Sequence, residues 1–252
     1  MTASTLEQPT QTGSAARAVG ASKVYGSGDN EVRALDGVTV EFASGKFTAI
    51  MGPSGSGKST LLHCLAGLDR LTAGQIFLGD VEINTLSEKK LTLVRRDQIG
   101  FVFQAYNLIP TLNALENITL PMSLAGNKPD PAWLDTVVNT VGLGDRLKHR
   151  PSELSGGQQQ RVAVARALLS KPRIIFADEP TGNLDSKAGA EILNFMSEAV
   201  HGLGQTIVMV THDPISAGYS SRAVFLGDGK IVGEIPSPTP DAILDRMKQL
   251  GA

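Results

Sequence analysis

Short apolar runs alternate along the chain with longer stretches in which apolar positions recur every three or four residues. Phe47 to Met51, Ile99 to Phe103, Ile174 to Ala177 after Arg173, and Thr206 to Val210 are apolar or β-branched runs too short for helices, so they predict strands buried on both faces. Val38-Thr39-Val40-Glu41-Phe42 alternates as a half-buried strand, and Val19 to Val24 is the first expected strand. Gly79-Asp80 between Gly74 to Leu78 and Val81 to Ile83 signals a hairpin, and Gly227-Asp228-Gly229 joins two more strands, Ala223 to Leu226 and Lys230 to Glu234. Helical spacing places Leu61, Leu62, Cys64, Leu65 and Leu68 on one face, and Trp133, Leu134, Val137, Val138 and Val141 on another. Further helices are predicted over Leu112 to Leu124, from Ser155 through Leu169, from Lys187 to about His201, and from Pro240 to Leu250 with Thr239 as its cap.

Strands alternating with helices predict an α/β fold with a largely parallel sheet covered on both faces. The helices over about 105–155 read as a subdomain inserted into that body, within a single domain spanning 18–252. Residues 1–17, rich in Thr, Ser, Gln and Ala and without periodicity, read as a disordered tail. No internal repeat appears, so a single copy of this unit is expected per chain.

Composition narrows the function classes. At 252 residues with 41% apolar and 19% charged positions, the chain can bury a full core. Lys+Arg 23 against Asp+Glu 25 gives a net charge of −2, so bulk basicity gives no reason to expect nucleic acid as a partner. Cys64 is the single cysteine, which excludes an internal disulfide and a cysteine-based zinc cluster and suits a reducing compartment. No apolar run approaches the ~18–20 residues of a membrane span, and no basic-then-apolar leader opens the chain.

The chemistry concentrates in Gly52-Pro53-Ser54-Gly55-Ser56-Gly57-Lys58-Ser59-Thr60, which fits G-x-x-x-x-G-K-[ST] between an apolar strand and a helix. Glycines there turn backbone N–H groups toward a polyphosphate, and the helix dipole adds positive charge. Lys58 is expected to reach the β- and γ-phosphates and the Ser59 hydroxyl to bind Mg²⁺. Four apolar residues, Ile174 to Ala177, deliver Asp178-Glu179 to a strand end, with Asp178 a candidate for holding Mg²⁺ and Glu179 for polarising an attacking water. Parallel pairing would bring His212 and Gln104, each at its own strand end, to the same edge. An imidazole there suits a hydrogen bond to the γ-phosphate, and an amide that donates and accepts suits contact with both Mg²⁺ and the water. Leu154-Ser155-Gly156-Gly157-Gln158 opens a helix with a natural cap and two glycines, forming a second anion site. Two phosphate sites in one chain predict a head-to-tail dimer in which each such helix closes over the partner's nucleotide.

These motifs, in order Tyr25, residues 52–60, Gln104, Leu154 to Gln158, Ile174 to Glu179, Leu184-Asp185 and His212, resemble the ATP-binding subunits of ABC transporters over roughly residues 18–235. The resemblance implies a P-loop ATPase with a mostly parallel core sheet, an antiparallel β subdomain and an inserted helical subdomain. It implies ATP with Mg²⁺, Tyr25 stacking on adenine, Glu179 as catalytic base, Asp185 communicating across the dimer, and Ser155 and Gly157 acting on the opposite protomer's ATP. A narrower resemblance, to the branch containing the macrolide exporter MacB and the lipoprotein-releasing LolD, rests on Tyr25-Gly26-Ser27-Gly28, Glu31 to Val38, Asn107 to Leu112, Ala114 to Asn117 and Pro180-Thr181-Gly182-Asn183-Leu184-Asp185. Gly182-Asn183 stands where other ABC proteins commonly carry Ser-Ala. This branch implies a separate integral-membrane permease as partner and a peripheral position on the cytoplasmic face of the cell membrane. An ATP-driven signalling pair such as FtsE and FtsX, which does no transport, uses a cassette of the same pattern. Soluble ABC ATPases usually carry two cassettes or a long coiled-coil insertion, and neither is found here.

Overall fold

In the computed structural model, which describes residues 13–251, the elements run β1 (Ser14–Tyr25), β2 (Val32–Ala43), β3 (Phe47–Met51), α1 (Lys58–Leu65), β4 (Ala73–Leu78), β5 (Val81–Glu82), α2 (Glu88–Gln98), β6 (Ile99–Phe103), α3 (Ala114–Leu124), α4 (Pro131–Thr140), α5 (Gly156–Leu169), β7 (Ile174–Asp178), α6 (Ser186–Leu203), β8 (Ile207–Val210), α7 (Pro214–Ala217), β9 (Arg222–Gly227), β10 (Lys230–Pro236) and α8 (Pro240–Gln249). A six-stranded sheet has the order β10-β9-β3-β8-β7-β6, and β9 through β6 are parallel while β10 pairs antiparallel at the edge. A separate four-stranded sheet, β2-β1-β4-β5, is antiparallel throughout. The fold is the expected α/β arrangement with an antiparallel sheet beside it.

The continuous apolar runs have a direct cause in the packing. Along the parallel strands Phe47, Ala49, Met51, Ile175, Ala177, Ile207, Met209, Ala223 and Phe225 face one core, shared with α3 to α8. Their neighbours Ile50, Ile174, Phe176, Val208, Val210, Val224 and Leu226 face the second core, shared with α1, α2 and the antiparallel sheet. With both faces covered, both sets of alternate positions are almost wholly apolar, the buried Thr48 of β3 being an exception. Helix α1 therefore lies between the two sheets, with Leu61, Leu62, Cys64 and Leu65 buried. Burial also pushes the Cys64 thiol up to about 12, which leaves it a packing group.

Two departures from the expected elements have physical reasons. Strand β1 begins at Ser14, inside the stretch read as a disordered tail; residues 1–12 of that tail lie outside the described residues. Ser14-Ala15-Ala16-Arg17 has little intrinsic preference for a strand, but β1 is central and is paired on one side with β2 and on the other with β4. Its alanines fit where the sheet packs closely against its neighbours, with Ala15, Ala16, Ala18 and Ala21 buried. Helix α2 was not expected at all, because only Leu91 is buried on it and no apolar stripe marks it. Its signals are at the ends: Ser87 at the cap position, Glu88 in the first turn, and Arg95 and Arg96 in the last.

Between β6 and α5 the chain forms α3 and α4, and both pack on α5. A capping box between Asn113 and Glu116 starts α3, and Asp130 with Pro131 starts α4. Asn117 is fully buried and clamps the preceding loop: its Oδ1 accepts from Ile109 N at 2.7 Å, and its Nδ2 donates to the Ile109, Leu112 and Asn113 carbonyls. Trp133 is half-buried, and its indole N–H donates to the Leu169 carbonyl at 3.0 Å, tying α4 to the end of α5.

Phe176 sits in the middle of β7 with no exposed surface, packed at a tilt on Phe101. Phe176→Ala is expected to destabilise the fold by about 3–5 kcal/mol through lost transfer energy and the remaining cavity. Urea unfolding followed by circular dichroism measures it.

Candidate phosphate-binding site

Parallel register assembles the site. Phe103 pairs with Asp178, Asp178 with Val210, and Ile50 with Val210, so the residues after β3, β6, β7 and β8 emerge at one edge of the sheet. That edge carries the loop from Gly52, Gln104, Asp178-Glu179 and His212, the set that the sequence predicted would converge.

The loop from Gly52 to Gly57 is wedged between distant parts of the chain. A Cβ on Gly52 (φ +145°) would lie 2.0 Å from the Leu226 carbonyl oxygen, and one on Gly57 (φ +99°) 2.2 Å from that of Ala34. Only glycine allows both approaches. Gly229 N donates to the Ser56 carbonyl at 3.1 Å, and Ser56 N to the Pro53 carbonyl at 3.2 Å. Helix α1 then starts at Lys58 with no acidic side chain in its first turn, so its unpaired amides and dipole face the loop uncompensated. Lys58 Nζ folds back onto the Gly52 and Pro53 carbonyls at 2.9 and 2.8 Å. Burial lowers its pKa, and the charges of Glu179 and Asp178 work in the other direction. Ser56 Oγ is buried and has no hydrogen-bond partner among the described residues. Helix-end amides, an ammonium and a free hydroxyl make a donor set that fits a polyphosphate.

Beside it, Ser59 Oγ donates to Asp178 Oδ1 at 3.1 Å. A hydroxyl and a carboxylate at the mouth of a phosphate loop are hard oxygen donors of the kind Mg²⁺ takes. His63 Nε2 stands 3.6 Å from Asp178 Oδ2, and this interaction raises the imidazole's pKa against its partial burial. His63 is not among the residues that the sequence motifs place at this site. The available signal was its position four residues after Ser59, on the same face of α1.

Glu179 has a left-handed backbone (φ +47°), fixed by its N–H donating to the Val210 carbonyl at 2.9 Å. Its Oε1 meets His212 Nδ1 at 2.8 Å, so the two predicted residues are joined directly. Gln104 is brought to the same edge, but its side-chain Nε2 donates to Asn183 Oδ1 at 3.1 Å. Asp185 caps α6, accepting from Ala188 N at 2.8 Å. Tyr25 is fixed by Asp69, its hydroxyl donating to Oδ2 at 2.5 Å while Lys23 Nζ holds Oδ1 at 2.6 Å and lies 4.7 Å from the ring centre. Local desolvation and the Asp69 hydrogen bond push the phenol up to about 12, and Thr60 stands beside its hydroxyl. Asp69 gave no sequence signal, because nothing local relates it to Tyr25.

Ser155 is the N-cap of α5, and Gly156 to Gln158 form its first turn. Ser155 and Gln158 form a capping box: Ser155 N donates to Gln158 Oε1 at 2.9 Å and Gln158 N to Ser155 Oγ at 3.3 Å. Gly156 and Gly157 contribute first-turn amides that no helical carbonyl can accept. Their close neighbours are Tyr106, Leu184 and Ala188. No hydrogen bond among the described residues links this helix end to residues 52–60.

A family model described as ABC transporter matches residues 35–182. An uncharacterized ABC transporter ATP-binding protein of Thermotoga maritima is 50% identical over 84% of this chain and 91% of its own length. The macrolide export ATP-binding/permease protein MacB of Marinobacter nauticus is 43% identical over 90% of this chain, which spans only 35% of that protein. Among solved structures, the dimeric post-hydrolysis state of the ATP-binding cassette MJ0796, bound to ADP and Pi, superposes with a TM-score of 0.79 at 40% identity. That likeness covers 88% of this chain and 98% of the solved one; MJ0796 is a protein of Methanocaldococcus jannaschii.

The loop geometry separates two glycines. Gly55 (φ +80°) faces open space, so Gly55→Ala carries only the left-handed backbone penalty of about 1–2 kcal/mol. Gly52→Ala adds the collision with the Leu226 carbonyl and is expected to lower the melting temperature well beyond Gly55→Ala, as read by differential scanning calorimetry.

Proposed function

This chain belongs to the ABC transporter family as an ATP-binding cassette, and from that membership we propose that it is the ATP-hydrolysing subunit of a membrane exporter of MacB-like type. The observation that carries the reading is the meeting of the donor-lined loop with Asp178, Glu179 and His212 at one sheet edge. In this reading Lys58 and the amides of residues 52–60 bind the ATP phosphates, and Tyr25 stacks on adenine. Ser59 and Asp178, with Gln104, would hold Mg²⁺, which would supply positive charge against the charge developing on the phosphates. Glu179 takes the proton of the attacking water. The 2.8 Å contact with His212 restrains that carboxylate, and His212 also meets the γ-phosphate.

The glycine amides after Ser155 support a head-to-tail dimer, since no hydrogen bond among the described residues links them to the chain's own phosphate loop. Ser155, Gly156, Gly157 and Gln158 close over the partner's ATP, and Asp185 stands at the seam. Binding only to the closed state stabilises it by ~2.7 kcal/mol per site at a hundredfold excess over Kd, and hydrolysis withdraws that contact. The solved MJ0796 cassette is itself dimeric. No helix among the described residues is long and apolar enough to cross a membrane. The Thermotoga maritima relative, 91% of whose length this chain covers, carries the description ABC transporter ATP-binding protein, which supports a permease on a separate chain. The cassette is then held peripherally at the cytoplasmic membrane face.

Glu179→Gln is expected to bind ATP normally, lose about 10²–10⁴-fold in turnover, and accumulate as a dimer in light scattering; near-normal turnover would remove Glu179 as the base. Lys58→Ala should weaken ATP binding by roughly 10–100-fold in calorimetry, the value of a charged hydrogen bond. Tagged Glu179→Gln protein recovered from native membranes with ATP and Mg²⁺ should bring down a polytopic subunit with a large extracytoplasmic domain. Recovery with ribosomes or DNA-repair factors instead would overturn the exporter reading.

A further inference from the structure

Gly182-Asn183, between Glu179 and α6, has no role in the proposed chemistry, yet its contacts are specific. Asn183 Nδ2 donates to the Gln104 backbone carbonyl at 3.0 Å, and Gln104 Nε2 donates to Asn183 Oδ1 at 3.1 Å. Gly182 makes the pairing possible, since a Cβ there would lie 2.7 Å from Gln104 Nε2. The backbone on both sides is pinned from below by Gln160 of α5, which is fully buried and donates to the Pro180 carbonyl at 2.6 Å and the Phe103 carbonyl at 3.3 Å. The Tyr106 hydroxyl reaches the Asn183 carbonyl at 3.4 Å.

This arrangement removes an ambiguity that a glutamine otherwise carries. The two ends of a primary amide are nearly the same size, and only the hydrogen-bond network decides which end is oxygen. A backbone carbonyl can only accept, so Asn183 must turn its NH₂ toward the Gln104 carbonyl. Its Oδ1 is thereby aimed at the Gln104 side chain and can only be met by a donor. Gln104 must answer with its NH₂, which leaves Oε1 as the end with no donor from the protein among the described residues. A cation accepts the oxygen end of an amide and rejects the nitrogen end.

We propose that Asn183 is a positioning residue that fixes the amide orientation of Gln104, so that the oxygen end is the one offered to Mg²⁺. The inference rests on the reading of Gln104 given under Proposed function and adds what selects its orientation. Because Asn183 belongs to the same loop as Glu179 and the α6 cap Asp185, movement of that loop reorients the metal-facing amide together with the base.

The test is the binding of a non-hydrolysable fluorescent ATP analogue to the full chain, with Mg²⁺ and again with EDTA. Asn183→Ala should weaken binding about three- to tenfold with Mg²⁺, the value of one neutral hydrogen bond, and leave binding in EDTA unchanged. Gly182→Ala, which crowds Gln104 by a different route, should act in the same direction. In a Gln104→Ala background, Asn183→Ala should have no further effect. Asn183→Ala binding as tightly as wild type with Mg²⁺, shifting equally in EDTA, or adding its full effect to Gln104→Ala each overturns the orienting role. If Gln104→Ala alone leaves Mg²⁺-dependent binding intact, the reading of Gln104 fails first and the role of Asn183 with it. If Gln104→Ala loses that dependence while Asn183→Ala behaves as wild type, only the orienting role fails.

Discussion

Everything at the site depends on the parallel hydrogen bonding that holds β6, β7, β8 and β3 in fixed register. The side-chain period of a strand is two, so a slip of one residue would exchange the two buried faces and turn Phe176 and Val208 into the wrong core. The dense packing on both faces forbids that slip, and the same constraint fixes where each strand stops. Gln104, Glu179 and His212 are thus placed by apolar residues that have no chemistry of their own. The left-handed backbone at Glu179 fits this picture, because its N–H is bonded to β8 while the residue before it still belongs to β7.

Around that edge the charges are set against one another. Asp178 draws on Ser59 and His63, and with Glu179 it opposes the effect of burial on Lys58. Glu179 is in turn held by His212. The second group of polar contacts, Gln160 with Phe103 and Pro180 and Arg166 with the Tyr106 and Asn107 carbonyls, ties α5 to the loops after β6 and β7. The helix that opens with Ser155 is therefore mechanically continuous with Gln104 and with the loop carrying Asn183.

Much of this was legible in the sequence where the signal is local. The runs before Gly52 and Asp178, the glycines of the loop and the cap at Ser155 each state their structure within a few residues. Strand β1 at Ser14-Ala15-Ala16-Arg17 was not legible, because its stability comes from β2 and β4 rather than from its own preferences. Helix α2 was missed because a helix that buries one leucine shows no period. Asp69, His63 and Asn183 act through partners far along the chain, and no spacing rule relates Tyr25 to Asp69 or Gln104 to Asn183. The site's local grammar could be read; its long-range pairings could not.

The position of β3 between β8 and β9 has a consequence for biosynthesis. The phosphate loop, residues 52–60, is made well before the surfaces that shape it: β8, β9 and the Leu226 and Gly229 backbone atoms against which it is wedged. A chain emerging from the ribosome holds the motif without the walls that form it until β8 and β9 have followed. Folding of such a sheet waits on its most distant contacts. The nucleotide cradle is complete only once β8, β9 and Gly229 have been made, so a chain stopped before them carries the motif without the means to use it.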